Sequence, residues 1–145
     1  MFGVYPLPYL GLRLFSCCFL SKSHNDRLIG RRGNDLLRGQ AGNDTLTGEL
    51  GTDRFRFLQP NHGVENITDF LSADQFILGT SAQDSSDRFI YNQNVGNLFY
   101  DADGVDGNNQ ILLATLFNQA DLVANDILTL PRISGRGILA SLDAR

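Results

Sequence analysis

A nine-residue pattern of polar and apolar positions runs through residues 21–56, which read SKSHNDRLI, GRRGNDLLR, GQAGNDTLT and GELGTDRFR. The eighth position of each unit is large and apolar: Leu28, Leu37, Leu46 and Phe55. The sixth position is always aspartate: Asp26, Asp35, Asp44 and Asp53. A unit with one inward apolar residue can bury it only against copies of itself, so the period predicts a stacked repeat architecture.

Small and turn-forming residues occupy the positions before each aspartate. The fourth position is His24 and then Gly33, Gly42 and Gly51, and the fifth is Asn25, Asn34, Asn43 and Thr52. Glycine and asparagine tolerate left-handed backbone angles, and asparagine also bonds locally to the backbone. Each unit therefore predicts a tight turn followed by a short strand whose eighth residue points inward.

Two such units form one coil of a solenoid, with strands alternating between two faces. Asp26 and Asp44 then stack on one edge, and Asp35 and Asp53 stack on the other. Adjacent coils are about 4.8 Å apart, and two carboxylates at roughly 5 Å repel by about 3 kcal/mol at an effective dielectric of about 20. Stacking therefore needs a cation. Carboxylate and carbonyl oxygens, without imidazole or thiolate, favour Ca²⁺ over Zn²⁺, Cu²⁺ or Mg²⁺.

The residues after the repeats also predict β-structure. Arg88–Asn92 and Asn97–Asp101 indicate a hairpin, because the loop between them contains asparagine and glycine. Gln110–Leu116 can pair as a third strand, and Ile127–Leu130 predicts a short fourth strand. Asn118–Ala124 predicts one helical turn.

The two ends of the chain differ from the rest. Residues 1–20 are apolar but interrupted by proline, glycine and Arg13, so they do not predict a membrane span. No base precedes the apolar run and no small-residue cleavage site follows it, which argues against a secretory signal. We interpret residues 1–20 as a poorly ordered leader and residues 131–145 as an extra tail.

Composition narrows the function classes. The 145 residues are enough for one domain, and 42% of them are hydrophobic. Fourteen Asp against two Glu, with fifteen Gly, oppose a helical bundle. Two cysteines exclude a disulfide scaffold, and a net charge of −4 makes nucleic acid a poor partner. Residues 1–58 hold eight bases and five acids, whereas residues 59–145 hold four bases and eleven acids.

Motifs of catalysis are absent from the sequence. It contains no metalloprotease, hydrolase-elbow, phosphate-loop or dinucleotide signature, and His24 and His62 are its only histidines. We therefore expect no enzyme. DADGVDGNN, at residues 101–109, starts like an EF-hand loop, but Leu112 stands where the motif requires glutamate. An acidic turn between strands is the favoured interpretation, with a weak accessory calcium site as the alternative.

The repeats resemble the RTX, or hemolysin-type calcium-binding, nonapeptide GGxGxDxUx. The most similar unit is Gly39–Gly48, GQAGNDTLTG. The resemblance implies a parallel β-roll with Ca²⁺ held between neighbouring coils by aspartates and by carbonyls around the glycines. The implied calcium-site residues are Asp26, Asp35, Asp44, Asp53, Gly33, Asn34, Gly42, Asn43 and Gly51. The family's second glycine is replaced throughout, by Lys22, Arg31, Gln40 and Glu49.

The predicted fold class is all-β: a parallel β-roll, or calcium solenoid, followed by a small and mainly antiparallel flank. The repeats occupy residues 21–58. Segments such as ENITDF and LFYDADG resemble the C-terminal flanking region of secreted repeat proteins, which assigns residues 59–130 to a flanking and secretion region.

The resemblance also implies a function. Such regions belong to proteins exported through type I systems, where the uncleaved C-terminal part carries the export signal. We expect a secreted, extracellular calcium-binding module, with calcium ions and a type I secretion apparatus as partners. The alternative is an extracellular structural or adhesive protein stabilised by calcium. A membrane-damaging toxin is a third reading, but the amphipathic pore-forming segment of such toxins is missing.

Overall fold

The computed structural model describes residues 18–20, 23–59, 62–78, 88–101, 110–129 and 142–144. Within them the chain forms short strands and one 3-10 turn. In chain order the strands are β1 Cys18–Leu20, β2 Arg27–Arg32, β3 Leu36–Arg38, β4 Thr45–Leu50, β5 Arg54–Phe57, β6 Glu65–Ile67, β7 Gln75–Leu78, β8 Arg88–Asn92, β9 Asn97–Asp101, β10 Gln110–Leu116, β11 Ile127–Thr129 and β12 Leu142–Ala144.

The strands form two sheets. The first is parallel and has the order β1-β3-β5-β7-β11. The second has the order β12-β8-β9-β10-β6-β4-β2 and is parallel from β2 to β10 but antiparallel at β10-β9-β8. From β2 to β7 the chain alternates between the two sheets, one strand at a time. This is a parallel β-roll, and the predicted fold class is confirmed.

The register confirms the eighteen-residue coil. Leu28 pairs with Leu46 in the second sheet, and Leu37 pairs with Phe55 in the first. The same ladders then continue to Ile67 and Phe76, each twenty-one residues beyond its partner. The roll therefore includes a third coil, β6 and β7, and three extra residues between β5 and β6 separate it from the second coil. The parallel ladders thus run past the end of the repeats to β7.

The core lies between the two sheets and consists of the eighth-position residues and their continuation. Leu37, Leu46, Phe55, Ile67 and Phe76 are at most 1% exposed. Side chains alternate across each strand, so in β4 the residues on either side of Leu46 are only half-buried. Each buried apolar side chain contributes about 1.5–3 kcal/mol relative to an exposed one. Each repeat unit therefore stabilises the roll mainly through its one buried apolar residue, at the eighth position.

Aromatic side chains close the third coil. The ring of Phe70 stacks on Phe76 with centroids 4.6 Å apart, and Phe55 lies 5.9 Å from Phe70. Phe57 contacts Phe76 at 5.6 Å. Such aromatic pairs contribute about 0.5–1.5 kcal/mol beyond the burial of their apolar area. They therefore stabilise the packing of the third coil, which lacks the glycine pattern of the repeats.

The flank contains the predicted hairpin, β8 and β9, and β10 pairs with β9 as the predicted third strand. β10 also runs parallel to β6, which joins the flank to the second sheet of the roll. β11 pairs with β7 of the first sheet rather than with the hairpin. The helical turn expected at Asn118–Ala124 is wrong in position, because the 3-10 turn spans Ala124–Asp126.

Both ends contribute a strand to a sheet. β1 pairs with β3, with Phe19 opposite Leu37, and β12 pairs with β8. The rest of the leader, the rest of the tail and the acidic loop after Asp101 lie outside the described residues. Their interpretation, and the division of the chain at residues 20, 58 and 130, stay predictions. No helix in the part of the chain that the structure describes is long and apolar enough to cross a membrane.

Candidate calcium site

The repeat aspartates form two ladders, one on each edge of the roll. The N–H of Asp26 donates to Oδ1 of Asp44 at 2.8 Å, and the N–H of Asp35 donates to Oδ1 of Asp53 at 2.8 Å. Each aspartate stands immediately before a strand, so the parallel register fixes its position. Asp35, Asp44 and Asp53 are at most 3% exposed, whereas Asp26, on the outermost coil, is exposed. The predicted pairing by coil is confirmed.

The fifth-position asparagines hold neighbouring turns at a fixed spacing. Oδ1 of Asn25 accepts from the N–H of Asn43 at 2.8 Å, and Oδ1 of Asn43 accepts from the N–H of Val64 at 2.9 Å. Oδ1 of Asn34 accepts in the same way from Thr52 at 2.9 Å. The side-chain oxygens of Asn34 and Asn43 thus bond to the backbone of the next coil, and their predicted role as calcium ligands stays a prediction.

The fourth-position glycines are required by the close approach of successive coils. Gly33, Gly42 and Gly51 have φ of +125°, +128° and +151°. A Cβ on Gly42 would lie 2.4 Å from the carbonyl oxygen of His24, and one on Gly51 would lie 1.7 Å from that of Gly33. The absence of a side chain at these glycines therefore leaves room for carbonyl groups of the preceding coil. Carbonyls around the glycines are the backbone groups that the resemblance implies as calcium ligands.

The first-position glycines form cradles for the carboxylates. A Cβ on Gly30, Gly39 or Gly48 would lie 2.7, 2.1 or 2.3 Å from Oδ2 of the aspartate five residues later in the same unit. The second carboxylate oxygen thus fills the space above each glycine. Sequence reasoning left these glycines out of the candidate site, although their recurrence at the first position was visible.

The inner carboxylate oxygens are buried and electrostatically strained. Oδ2 of Asp44, Oδ2 of Asp53 and Oε2 of Glu65 accept no hydrogen bond from any residue that the structure describes. Burial raises the pKa of Asp53 to about 6, and the charges of Asp74 and Asp35 add to this effect. Burial also raises the pKa of Asp44, more than the N–H of Asp26 lowers it. Each ladder therefore favours either a proton or a cation at its inner oxygens.

These residues fit Ca²⁺. The inner oxygens are hard, anionic and without hydrogen-bond donors, and such oxygens are the ligands that Ca²⁺ prefers. Across the described ranges no three carboxylate, imidazole or thiol side chains converge on one point. An ion would therefore take carboxylates from two coils at a time and complete its shell with backbone carbonyls. Its charge would offset the repulsion along the ladder.

Sequence reasoning missed the acids of the third coil. Glu65 and Asp74 occupy the rungs after Asp44 and Asp53, but they were assigned to the flank. Three extra residues shift them out of the eighteen-residue register. The spacing inside the unit survives, because Gly63, Glu65 and Ile67 stand two residues apart as glycine, aspartate and leucine do in the repeats.

One comparison with known proteins bears on the repeats directly. The sequence-family model of the RTX calcium-binding nonapeptide repeat matches residues 22–55 in four copies. The chain is also similar to the solution structure of the AlgE6R3 subunit from the Azotobacter vinelandii mannuronan C5-epimerase, with 22% identity, 87% of this chain and 90% of that chain covered, and a TM-score of 0.49. A search of curated proteins gave no significant match. Residues 22–55 thus match the RTX calcium-binding nonapeptide repeat, and they fold as a parallel β-roll.

Proposed function

We propose that this β-roll is the calcium-dependent folding and type I secretion module of an extracellular protein, and that it works by binding rather than by catalysis. The observation that carries the proposal is the pair of buried carboxylate ladders, whose inner oxygens have no hydrogen-bond donor among the described residues. Such ladders make folding conditional on a cation, because uncompensated buried charge opposes the stacking of coils.

Calcium concentration then acts as the switch. An ion that binds only the folded state stabilises it by about 2.7 kcal/mol when its concentration is a hundred times the dissociation constant. Extracellular calcium is millimolar, and the cytosolic concentration is lower by orders of magnitude. The chain therefore stays loose before export, as a type I exporter requires, and folds outside.

The flank has a defined place in this scheme. β10 and β11 pair with β6 and β7, the last strands of the roll, and thereby cover its C-terminal end. The N–H of Phe117 donates to the carbonyl of Ile67 at 2.8 Å, and Asn118 donates to the carbonyl of Phe70. Folding of the roll thus supplies the edges on which the flank docks. The resemblance assigns the export signal to this C-terminal part.

Export of a reporter tests the secretion role. The whole chain is fused behind a slow-folding reporter in cells with and without a type I exporter. We expect export only with the exporter, and unchanged export when residues 1–17 are removed and β1 is kept. Asp44→Ala should still be exported but should fold poorly in the medium. Export without the exporter, or export that needs residues 1–17, would favour the extracellular structural or adhesive alternative.

A further inference from the structure

The third coil has an acidic residue at both positions that continue the aspartate ladders, although it lies outside the RTX repeats. The N–H of Asp44 donates to the carboxylate of Glu65, and the N–H of Asp53 donates to Oδ1 of Asp74 at 2.8 Å. Glu65 and Asp74 are 5% and 1% exposed. Both ladders therefore extend by one buried carboxylate beyond the four repeats.

The two added rungs differ in what satisfies them. Both oxygens of Asp74 accept hydrogen bonds, because Oδ2 takes the N–H of Leu71 at 2.8 Å while Oδ1 takes that of Asp53. Oε2 of Glu65 accepts no hydrogen bond from the residues that the structure describes. One ladder thus ends in an aspartate whose two oxygens both accept backbone N–H groups, whereas the other ends in a buried oxygen with no donor among the described residues.

The unsatisfied oxygen of Glu65 faces the unsatisfied oxygen of Asp44. A Cβ on Gly39 would lie 2.1 Å from Oδ2 of Asp44 and 2.7 Å from Oε2 of Glu65, so both oxygens border the same cradle. Both carboxylates are buried, and no described residue donates a hydrogen bond to either of these two oxygens. A buried carboxylate pair of this kind is stable only with a cation or a proton between its members.

We propose that Asp44 and Glu65 form an additional Ca²⁺ site, one coil beyond the RTX repeats, whereas the Asp53–Asp74 junction is closed by Leu71 and binds no ion. This inference rests on the proposed calcium dependence of the roll. Beyond Glu65 the ladder stops, since Ala114 of β10 stands opposite it and supplies no carboxylate.

Glu65→Gln in the full chain is the direct test, and Asp74→Asn is its matched control on the other ladder. Glutamine keeps an oxygen for the Asp44 N–H but removes the charge. In calcium-depleted buffer Glu65→Gln should unfold at higher urea than the natural chain, because a buried charge is gone. In millimolar calcium it should unfold at lower urea, because a ligand is gone. A purely structural carboxylate changes stability with the same sign in both buffers.

Calorimetry gives the second readout. Glu65→Gln should bind one ion fewer per chain and raise the calcium concentration at the folding midpoint about tenfold, equivalent to about 1.4 kcal/mol. Asp74→Asn should keep the stoichiometry. If Glu65→Gln does not fold, Glu65→Asp decides: it restores the residue that the repeats use, so it should keep the ion. Unchanged stoichiometry in Glu65→Gln, equal loss in Asp74→Asn, or loss of the ion in Glu65→Asp overturns the proposal. A natural chain that binds no calcium refutes the proposed function instead.

Discussion

Three residues hold backbone angles that the RTX motif reserves for glycine. Arg31, Gln40 and Glu49 have φ of +80°, +74° and +69°, and they stand where the second glycine of GGxGxDxUx belongs. Each turn therefore keeps the left-handed backbone conformation of the motif, although the residue that adopts it has a Cβ and is not glycine. Replacing Gln40 by glycine should relieve this strain.

The magnitude follows from two opposing terms. A left-handed φ costs an L-residue such as alanine roughly 1–2 kcal/mol in the folded state, and glycine avoids this cost. Glycine in turn loses roughly 0.5–1 kcal/mol of stability, because its backbone has more freedom than that of alanine in the unfolded chain. Gln40→Gly should therefore be more stable than Gln40→Ala by about 0.5–1 kcal/mol, a difference of about 1–4 °C in Tm. Alanine is the correct reference because both variants lose the same side-chain contacts.

Urea unfolding in saturating calcium measures the difference. Arg54 provides the control, because it is exposed on β5 and has no positive φ. There the order should reverse, with Arg54→Gly less stable than Arg54→Ala by about 0.5–1 kcal/mol. A stabilised roll should also fold at lower calcium, so Gln40→Gly should shift the folding midpoint downwards. Equal stability of Gln40→Gly and Gln40→Ala would refute the strain argument.

Three further outcomes follow from the same geometry. Gly51→Ala should destabilise the roll by more than about 2 kcal/mol in urea unfolding, because the alanine Cβ would lie 1.7 Å from a carbonyl oxygen of the preceding coil. A loss of less than about 1 kcal/mol would show that the coils can move apart at little cost in free energy. In calcium-depleted buffer the free energy of unfolding should fall as pH rises from 5 to 8. The pKa values of Asp53 and Glu65 are about 6 and about 8, above their usual values of 3.8 and 4.5, so the folded chain holds more protons than the unfolded chain in this range. A urea midpoint that rises with pH would contradict this. Asp44→Ala should weaken calcium binding in calorimetry more than Asp26→Ala, because Asp44 is buried between two rungs whereas Asp26 is exposed on the outermost coil; the reverse order would move the site away from the buried ladder.

The period of nine was sufficient to predict the roll, because one apolar residue and one aspartate per unit determine both the core and the ladders. Leu46 and Asp44 lie where that reasoning places them. Glu65 could not be placed, since a three-residue insertion removes it from the period and only the stacked register brings it under Asp44. β11 was recognised as a strand, but its pairing with β7 joins residues about fifty positions apart, which local pattern does not encode.

The role of asparagine was also beyond the sequence. Its side chain can cap a turn, bind a metal or bond to a neighbouring coil, and all three uses are compatible with Asn before Asp. The structure shows a bond to the neighbouring coil, because the 4.8 Å spacing typical of stacked strands brings the next turn's N–H within reach of Oδ1. The predicted roles of Asn34 and Asn43 as calcium ligands stay predictions. The left-handed angle at Gln40 was likewise hidden, since its residue type argues against it.

Calcium titration of the calcium-depleted full chain tests the central claim most directly. Circular dichroism should show β-structure gained as CaCl₂ rises to the millimolar range, with binding heat in calorimetry over the same range and no comparable change with MgCl₂. An unchanged spectrum together with no heat of calcium binding would contradict the account, because the buried carboxylate ladders would then be stable without the ion they are inferred to bind.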